Sequence, residues 1–211
     1  MRQSKTFKSG YFRRLRNQPR KKIDLTFRAF AEFAKGKPEN VKLYLHMGSR
    51  DSSMDIVKLA ERYEVDNRLI VTSLAKGPQQ VPIENLNLIY NCTDIGVNTS
   101  VGEGWGLCSV EHSLTGAPQI VGNFSAMKDL YQDCGLLVNG KLPIVLDNIM
   151  TTGQLVDPID VAEKMELLYT NHDLYNDLAA KAKKKFTSKE YSWKKIAQLW
   201  DNLFLEVINT K

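Results

Sequence analysis

Three alternating glycines, Gly102, Gly104 and Gly106, most constrain what this chain can fold into. They follow a predicted strand at residues 94–98 and precede a helix predicted to begin near Leu107. Glycine permits positive φ angles and a close approach of the backbone to a ligand. The start of a helix adds free N–H groups and the positive end of the helix dipole, and both suit phosphate. The turn therefore predicts a site for a phosphate-bearing ligand.

Two carboxylates accompany this turn. Glu103 lies within it, and Glu111 lies about two helical turns further along. Carboxylates at these two places would hold separate hydroxyl groups of a ligand whose phosphates are bound by the N–H groups between them. The pattern predicts a nucleotide-sugar site. The alternative is a glycine-rich strand-to-helix turn with two solvated glutamates.

The run from Glu103 to Glu111, EGWGLCSVE, resembles the E-x7-E element of family-four retaining glycosyltransferases of the GT-B fold. The resemblance implies that Glu111 holds the ribose hydroxyls of the donor and that Glu103, with a catalytic role, contacts the transferred sugar. It also implies that backbone N–H groups of the loop face the sugar and the diphosphate. The donor-binding residues implied by the resemblance are Gly104, Trp105, Gly106, Leu107, Cys108 and Glu111.

A basic loop precedes the first predicted helix, at residues 23–35. In the resembling family this loop carries an Arg and, a few residues later, a Lys, and both clamp the diphosphate. The resemblance assigns these roles to Arg16 and Lys21, with Lys22 as an alternative for the lysine. Fixed cations would stabilise the negative charge that a leaving diphosphate gains. The alternative is a solvated basic turn.

The remaining pattern alternates strands and helices with short connections, which predicts a parallel sheet with helices on both faces. The predicted fold class is therefore α/β and Rossmann-like, one half of a GT-B fold. Further strands are predicted at residues 41–47, 68–72, 118–121 and 135–139. Residues 11–15 are a poor, highly charged substitute for a central buried strand. Ser125 is expected to cap a helix, and residues 141–155 show no clear pattern and are assigned to a loop.

The 211 residues, 43% of them hydrophobic, suffice for one well-packed domain. We expect a basic leader at residues 1–15, a nucleotide-sugar-binding domain at 16–190 and a final helix at 191–211. In the resembling family that helix packs on an N-terminal acceptor domain. We therefore expect turnover to need acceptor groups from another chain or a longer parent. The aromatic face of the helix would otherwise be exposed, repacked or used for self-association.

The net charge of +5 comes from one end of the chain. Residues 1–22 hold nine Lys or Arg and no acid, so the remainder carries 20 basic and 24 acidic residues. This distribution argues against nucleic acid as the partner. The expected ligand is a UDP- or GDP-linked sugar. The alternatives are a non-catalytic nucleotide-sugar module or a degenerate fragment.

Metal and membrane signals are weak in this sequence. The three cysteines show no C-x-x-C spacing and the three histidines are isolated. The D-x-D pair typical of metal-dependent GT-A transferases does not occur, so we predict no metal and no cofactor. There is no apolar run of about 20 residues and no apolar signal-peptide core. Reduced cysteines favour a cytoplasmic location.

Overall fold

The computed structural model describes residues 10–14, 17–51, 53–76, 81–146 and 150–210, and only the backbone of residues 12–14. Six strands form the main sheet: β1 Gly10–Arg14, β2 Lys42–His46, β3 Leu69–Val71, β4 Ile95–Asn98, β5 Gln119–Gly122 and β6 Leu136–Val138. Their spatial order is β3-β2-β1-β4-β5-β6, and every neighbouring pair is parallel.

Helices connect the strands and cover the sheet. Those in the described residues are α1 Ile23–Phe33, α2 Ile56–Arg62, α3 Ile83–Asn91, α4 Leu107–Leu114, α5 Ser125–Tyr131, α6 Pro158–Thr170, α7 His172–Phe186 and α8 Trp193–Asn209. Short 3-10 turns lie at Pro19–Lys21, Asp66–Arg68 and Lys189–Tyr191. This architecture confirms the predicted α/β, Rossmann-like fold.

The core forms where α1 packs against α6 and the centre of the sheet. The helical spacing of Ile23, Phe27 and Phe30 places all three on the buried face of α1. Asp157 begins α6 by accepting a hydrogen bond from the Ile159 N–H at 2.9 Å. Buried aromatic and aliphatic side chains along this interface contribute most of the hydrophobic stabilisation of the fold.

The expectation that residues 11–15 make a poor central strand was wrong. β1 lies between β2 and β4, with Tyr11 paired to Leu43 on one side and Ile95 on the other. Tyr11 is fully buried, and its hydroxyl donates to the Met165 carbonyl at 3.1 Å. A central parallel strand needs partners for its backbone groups on both sides, and this one has them despite the arginines in its sequence.

The assignment of residues 141–155 to a loop was also wrong. β7 Gly140–Leu146 and β8 Thr151–Val156 pair as an antiparallel hairpin. β7 is exposed along most of its length, so its sequence need not alternate between apolar and polar residues. Pro143 is tolerated because the pair has only two strands and each is an edge strand.

The last helix, α8, has no fully buried residue. Its apolar residues Trp193, Trp200 and Phe204 are exposed, and the rings of Trp200 and Phe204 lie 5.6 Å apart. Ser192 caps the helix by accepting from the Lys195 N–H at 3.2 Å. Nowhere in the described part of the chain is a helix both long and apolar enough to cross a bilayer.

Two phenylalanines test this division between core and surface. We expect Phe30→Ala to lower the free energy of unfolding by about 3–5 kcal/mol, because the ring is fully buried. The matched change Phe204→Ala removes the same atoms from an exposed ring, and we expect an effect within about 0.5 kcal/mol. Urea unfolding followed by circular dichroism measures both. Equal losses would contradict the exposed position of α8.

Candidate functional site

The predicted basic loop and glycine turn meet at one crevice. The strand order reverses between β1 and β4, since the chain passes from β1 to β2 on one side and from β4 to β5 on the other. Ligands of open α/β sheets bind beyond the carboxyl ends of the strands at such a point. Residues 17–22 follow β1 and residues 99–106 follow β4, so both loops lie there.

Hydrogen bonds join the two loops that border the crevice. The Val101 N–H donates to the Arg20 carbonyl at 3.0 Å. The Thr99 hydroxyl donates to the Lys22 carbonyl at 2.8 Å and lies 2.8 Å from the Thr26 hydroxyl. Thr26 and Thr99 are both buried, so these bonds are shielded from water. These hydrogen bonds therefore fix the position of the two loops relative to each other without a bound ligand.

A buried ion pair connects Glu103 to the basic loop. The Nζ of Lys21 lies 2.5 Å from the Oε1 of Glu103, and both side chains are only 7% exposed. The guanidinium of Arg20 lies 3.3 Å from the Oε2 of Glu103 and also donates to the Gly102 carbonyl at 3.1 Å. The Asn98 amide donates to Oε1 at 3.4 Å. The carboxylate is therefore bound by two cations and one amide.

These contacts lower the pKa of Glu103. Burial alone raises the pKa of the carboxyl, because water no longer solvates its charge. The charge and hydrogen bond of Lys21, with the charge of Arg20, outweigh burial and hold the pKa below its ordinary value. Glu103 is thus a fixed anion at neutral pH.

The basic loop supplies one predicted and one missed contact. Lys21 is the lysine that reaches Glu103, whereas Lys22 begins α1 with a left-handed φ of 47°. Arg16 lies outside the described residues. Arg20 was not selected from the sequence, although its place beside Lys21 in a basic loop was a usable signal.

Only one of the three glycines is required by its backbone conformation. Gly106 has a φ of 79° and is the N-cap of α4. A Cβ there would lie 2.2 Å from the Cε of Met127. Gly102 and Gly104 have no positive φ, and a Cβ at either would meet no atom within 4 Å. Neither glycine is therefore required by local packing or by a left-handed backbone.

Ser125 holds the glycine turn instead of capping α5 as expected. Its φ of 53° is in the left-handed region, and the N-cap of α5 is Phe124. The Ser125 hydroxyl accepts a hydrogen bond from the Glu103 N–H at 3.1 Å. The Ala126 N–H donates to the Glu103 carbonyl at 3.3 Å. The backbone of Glu103 is therefore fixed from the β5–α5 side as well.

The other predicted residues of the turn differ in their surroundings. Trp105 is about half exposed, with its ring 6.0 Å from that of Tyr191, so the side chain packs at the surface. Leu107 is exposed at the first position of α4, and Cys108 follows it, partly buried. The positive end of the α4 dipole points toward this turn.

Glu111 is oriented by a tyrosine that the sequence analysis missed. The Tyr90 hydroxyl donates to its Oε2 at 2.6 Å. The Tyr90 ring stacks on His112 at 5.6 Å, and His112 is itself held by Thr93 and Gln119 at 3.1 and 3.2 Å. No motif links Tyr90 to Glu111, because the contact joins neighbouring helices α3 and α4.

A cleft of about 580 Å³ opens beside Glu103. Its lining includes Glu103, Gly104, Arg20 and Phe124, together with residues of the β7–β8 hairpin. Its volume is in the range of small-molecule sites. Glu111 lies outside this lining, so the cleft serves the Glu103 end of the predicted site.

Within the described ranges, no group of three or more His, Cys, Asp or Glu side chains is arranged to hold a metal ion. A family model for the group 1 glycosyl transferases matches residues 6–171, which is more than half of the chain and includes both loops. The chain belongs to the group 1 glycosyltransferase family. A search of curated protein sequences found no match.

Solved structures share the fold of this glycosyltransferase domain. An S. aureus TarM mutant in complex with fondaparinux, alpha-GlcNAc-glycerol and UDP is 21% identical, with a TM-score of 0.70 over 97% of this chain and 37% of its own. Sucrose-phosphate synthase from Thermosynechococcus elongatus is 17% identical, with a TM-score of 0.71 over 97% of this chain and 46% of its own.

A C-terminal domain is matched over most of its length. This domain, of the group 1 protein LpcC from Francisella tularensis, is 16% identical, with a TM-score of 0.64 over 85% of this chain and 84% of its own. The present chain spans less than half of the longer structures, TarM and the synthase. Its fold is that of a C-terminal domain of a GT-B glycosyltransferase.

The glycines give a stability test of the turn. We expect Gly106→Ala to destabilise the protein by at least about 1–2 kcal/mol, since its φ is positive and the new methyl overlaps Met127. Gly104→Ala adds the same methyl in open space, and we expect a change within about 0.5 kcal/mol. Urea unfolding compares the two. A greater cost at Gly104 would refute this account of the turn.

The ion pair gives a pH test. The folded pKa of Glu103 lies below its ordinary value of 4.5, so its contribution to stability is complete above that pH and is lost as pH falls through the folded value. At pH 7 we expect Glu103→Gln to cost about 1–3 kcal/mol. The difference from wild type should shrink as the pH is lowered below about 4.5. A difference that stays constant over this range would show that the charge of Glu103 does not stabilise the fold.

Proposed function

We propose that this chain is the donor-binding domain of a retaining glycosyltransferase that uses a UDP- or GDP-linked sugar. One observation carries the proposal: Lys21, assigned from the family resemblance, and Glu103, selected from the glycine turn, meet at the strand-order reversal of the sheet. A cation and a carboxylate at this point suit the two halves of one donor. The cation would bind the diphosphate, and the carboxylate would accept hydrogen bonds from the sugar.

The diphosphate would lie over the basic loop and the start of α4. Arg20 and Lys21 supply fixed positive charge, and the helix dipole adds to it. Arg16 is proposed for the same role from the family resemblance alone. Charge on the leaving diphosphate increases as the glycosidic bond breaks, so these groups would stabilise the transition state more than the bound donor. The proposal needs no metal ion for this step.

Glu111 would bind the ribose. The Tyr90 hydroxyl already donates to one of its oxygens, which orients the carboxylate. Carboxylate oxygens accept hydrogen bonds from a pair of hydroxyls, as the vicinal diol of ribose presents. Backbone groups between Gly104 and Cys108 would lie between this ribose and the sugar.

Glu103 would orient the transferred sugar. Its backbone is fixed by Ser125 and its carboxylate by Lys21, so its geometry is set before a donor binds. Such preorganisation avoids reorganisation during the reaction. The S. aureus TarM mutant was solved in complex with UDP, which supports a uridine nucleotide as the first ligand to test.

Acceptor recognition would come from a further domain or chain. The exposed aromatic face of α8 is the surface on which we expect that part to pack. The cytoplasmic location predicted from the cysteines is part of the same proposal.

Calorimetric titration with UDP, GDP and UDP-glucose tests the donor site. We expect micromolar to millimolar binding of one nucleotide, reduced about 10- to 100-fold by Glu111→Gln, because a hydrogen bond to a charged group is lost. Glu206→Gln, on the exposed α8, is the matched control and should bind like wild type.

Turnover is then measured by hydrolysis of the donor or transfer to added acceptors. Release of nucleotide that Glu103→Ala abolishes would support the enzyme. Binding without any release would indicate a nucleotide-sugar binding module. A folded wild-type chain that binds neither UDP nor GDP would refute the donor site.

A further inference from the structure

The β7–β8 hairpin contributes residues to the wall of the cleft beside Glu103. Leu146 and residues 151–154 line the cleft together with Glu103 and Gly104 of the glycine turn. The hairpin follows β6 at the carboxyl edge of the sheet, on the same edge as the two loops of the site. None of the roles proposed above involves it.

Direct contacts fix the hairpin to the glycine turn. The Gln154 N–H donates to the Val101 carbonyl at 2.9 Å. Gly153 is buried against Val101, and a Cβ there would lie 2.9 Å from the same carbonyl oxygen. Glu103 is only two residues beyond Val101, so the position of β8 is tied to the position of this carboxylate.

The two faces of the hairpin have different surroundings. Leu146 pairs with Thr151 and Ile144 pairs with Gly153, and side chains of alternate residues share a face. This face includes the buried Gly153 and points toward the turn. Val145 belongs to the opposite face and is 61% exposed. Thr152 and Gln154, which alternate with the residues of the first face, also line the cleft, whereas Val145 does not.

The chemistry of the cleft suits a sugar. Hydroxyl groups of Ser125 and Thr151 line it together with apolar Phe124 and Leu146 and the Glu103 carboxylate. A sugar ring presents hydroxyls at its rim and C–H groups on its faces, so it needs both kinds of contact. The cleft does not include Tyr90 or Glu111, where the ribose is proposed to bind.

We propose that the hairpin forms one wall of the subsite for the transferred sugar, and that Thr151 helps to determine which sugar is accepted. This rests on the proposed donor site. The hairpin acts mainly on the sugar, because its residues line the cleft beside Glu103, whereas Glu111, proposed to bind the ribose, lies outside that cleft. Arg20, proposed to bind the diphosphate, also lines the cleft, so the sugar would lie next to the diphosphate there. Discrimination between donors with one nucleotide and different sugars would then change with residues of β8.

A matched pair of tryptophan variants of the full chain tests this. Thr151→Trp places an indole in the cleft, whereas Val145→Trp places it at an exposed position that does not line the cleft. Tryptophan is well tolerated in exposed strands.

With UDP, UDP-glucose and UDP-N-acetylglucosamine as probes, or GDP and GDP-mannose if the wild type binds GDP, calorimetry gives each affinity. We expect Thr151→Trp to weaken nucleotide-sugar binding by at least about tenfold and to change binding of the free nucleotide by less than about twofold. Val145→Trp should change neither.

Each outcome decides one of the two proposals. Unchanged sugar-nucleotide binding by a folded Thr151→Trp variant overturns the hairpin wall and leaves the donor site intact. Equal loss of free nucleotide and nucleotide sugar also overturns it, because the effect would not be confined to the sugar. A wild type that binds no nucleotide refutes the donor site itself. If Thr151→Trp does not fold, Thr151→Val removes only the hydroxyl, and an unchanged ratio of affinities among the UDP-sugars overturns the proposal.

Discussion

The contact between Lys21 and Glu103 is the constraint on which the rest of the site depends. Each of these charges would be costly to bury alone, and each is nearly shielded from water. Together they are satisfied only if the loop after β1 and the turn after β4 keep one relative position. The 3-10 turn that ends at Lys21 and the left-handed Lys22 deliver the ammonium group there. Ser125 fixes the other partner through its backbone.

The sheet explains why these two loops can meet. β1 and β4 are neighbours although more than 80 residues separate them, and the chain leaves them in opposite directions across the sheet. The helices that follow therefore diverge and leave a crevice between the loops. β1 must be central for this, and its register with β2 and β4 makes it so. Tyr11 packs in the core and its hydroxyl donates to the Met165 carbonyl, and both contacts hold this strand at the centre of the sheet.

The sequence predicted what local patterns determine and missed what only tertiary contact creates. Alternating elements were sufficient for the fold class, and the glycine spacing was sufficient to select Glu103 and its turn. The Tyr90–Glu111 hydrogen bond joins two helices, and no periodicity records it. The hairpin was not predicted because an exposed pair of strands needs no alternation of apolar and polar residues. Pairing of Arg20 with Glu103 also depends on the packing of the two loops.

Lys21 would have two partners in the proposed site, Glu103 and the donor diphosphate. Lys21 balances Glu103 in the structure, yet the same ammonium group is proposed to bind the donor diphosphate. A diphosphate that draws on this charge weakens its hold on the carboxylate, which then becomes a better acceptor for sugar hydroxyls. The ammonium group would then be shared between the carboxylate and the diphosphate, with no change in protonation. Because the hairpin is hydrogen-bonded to Val101, two residues before Glu103, the wall of the sugar cleft is linked to the same pair. Diphosphate binding and sugar orientation would therefore be coupled through one buried interaction.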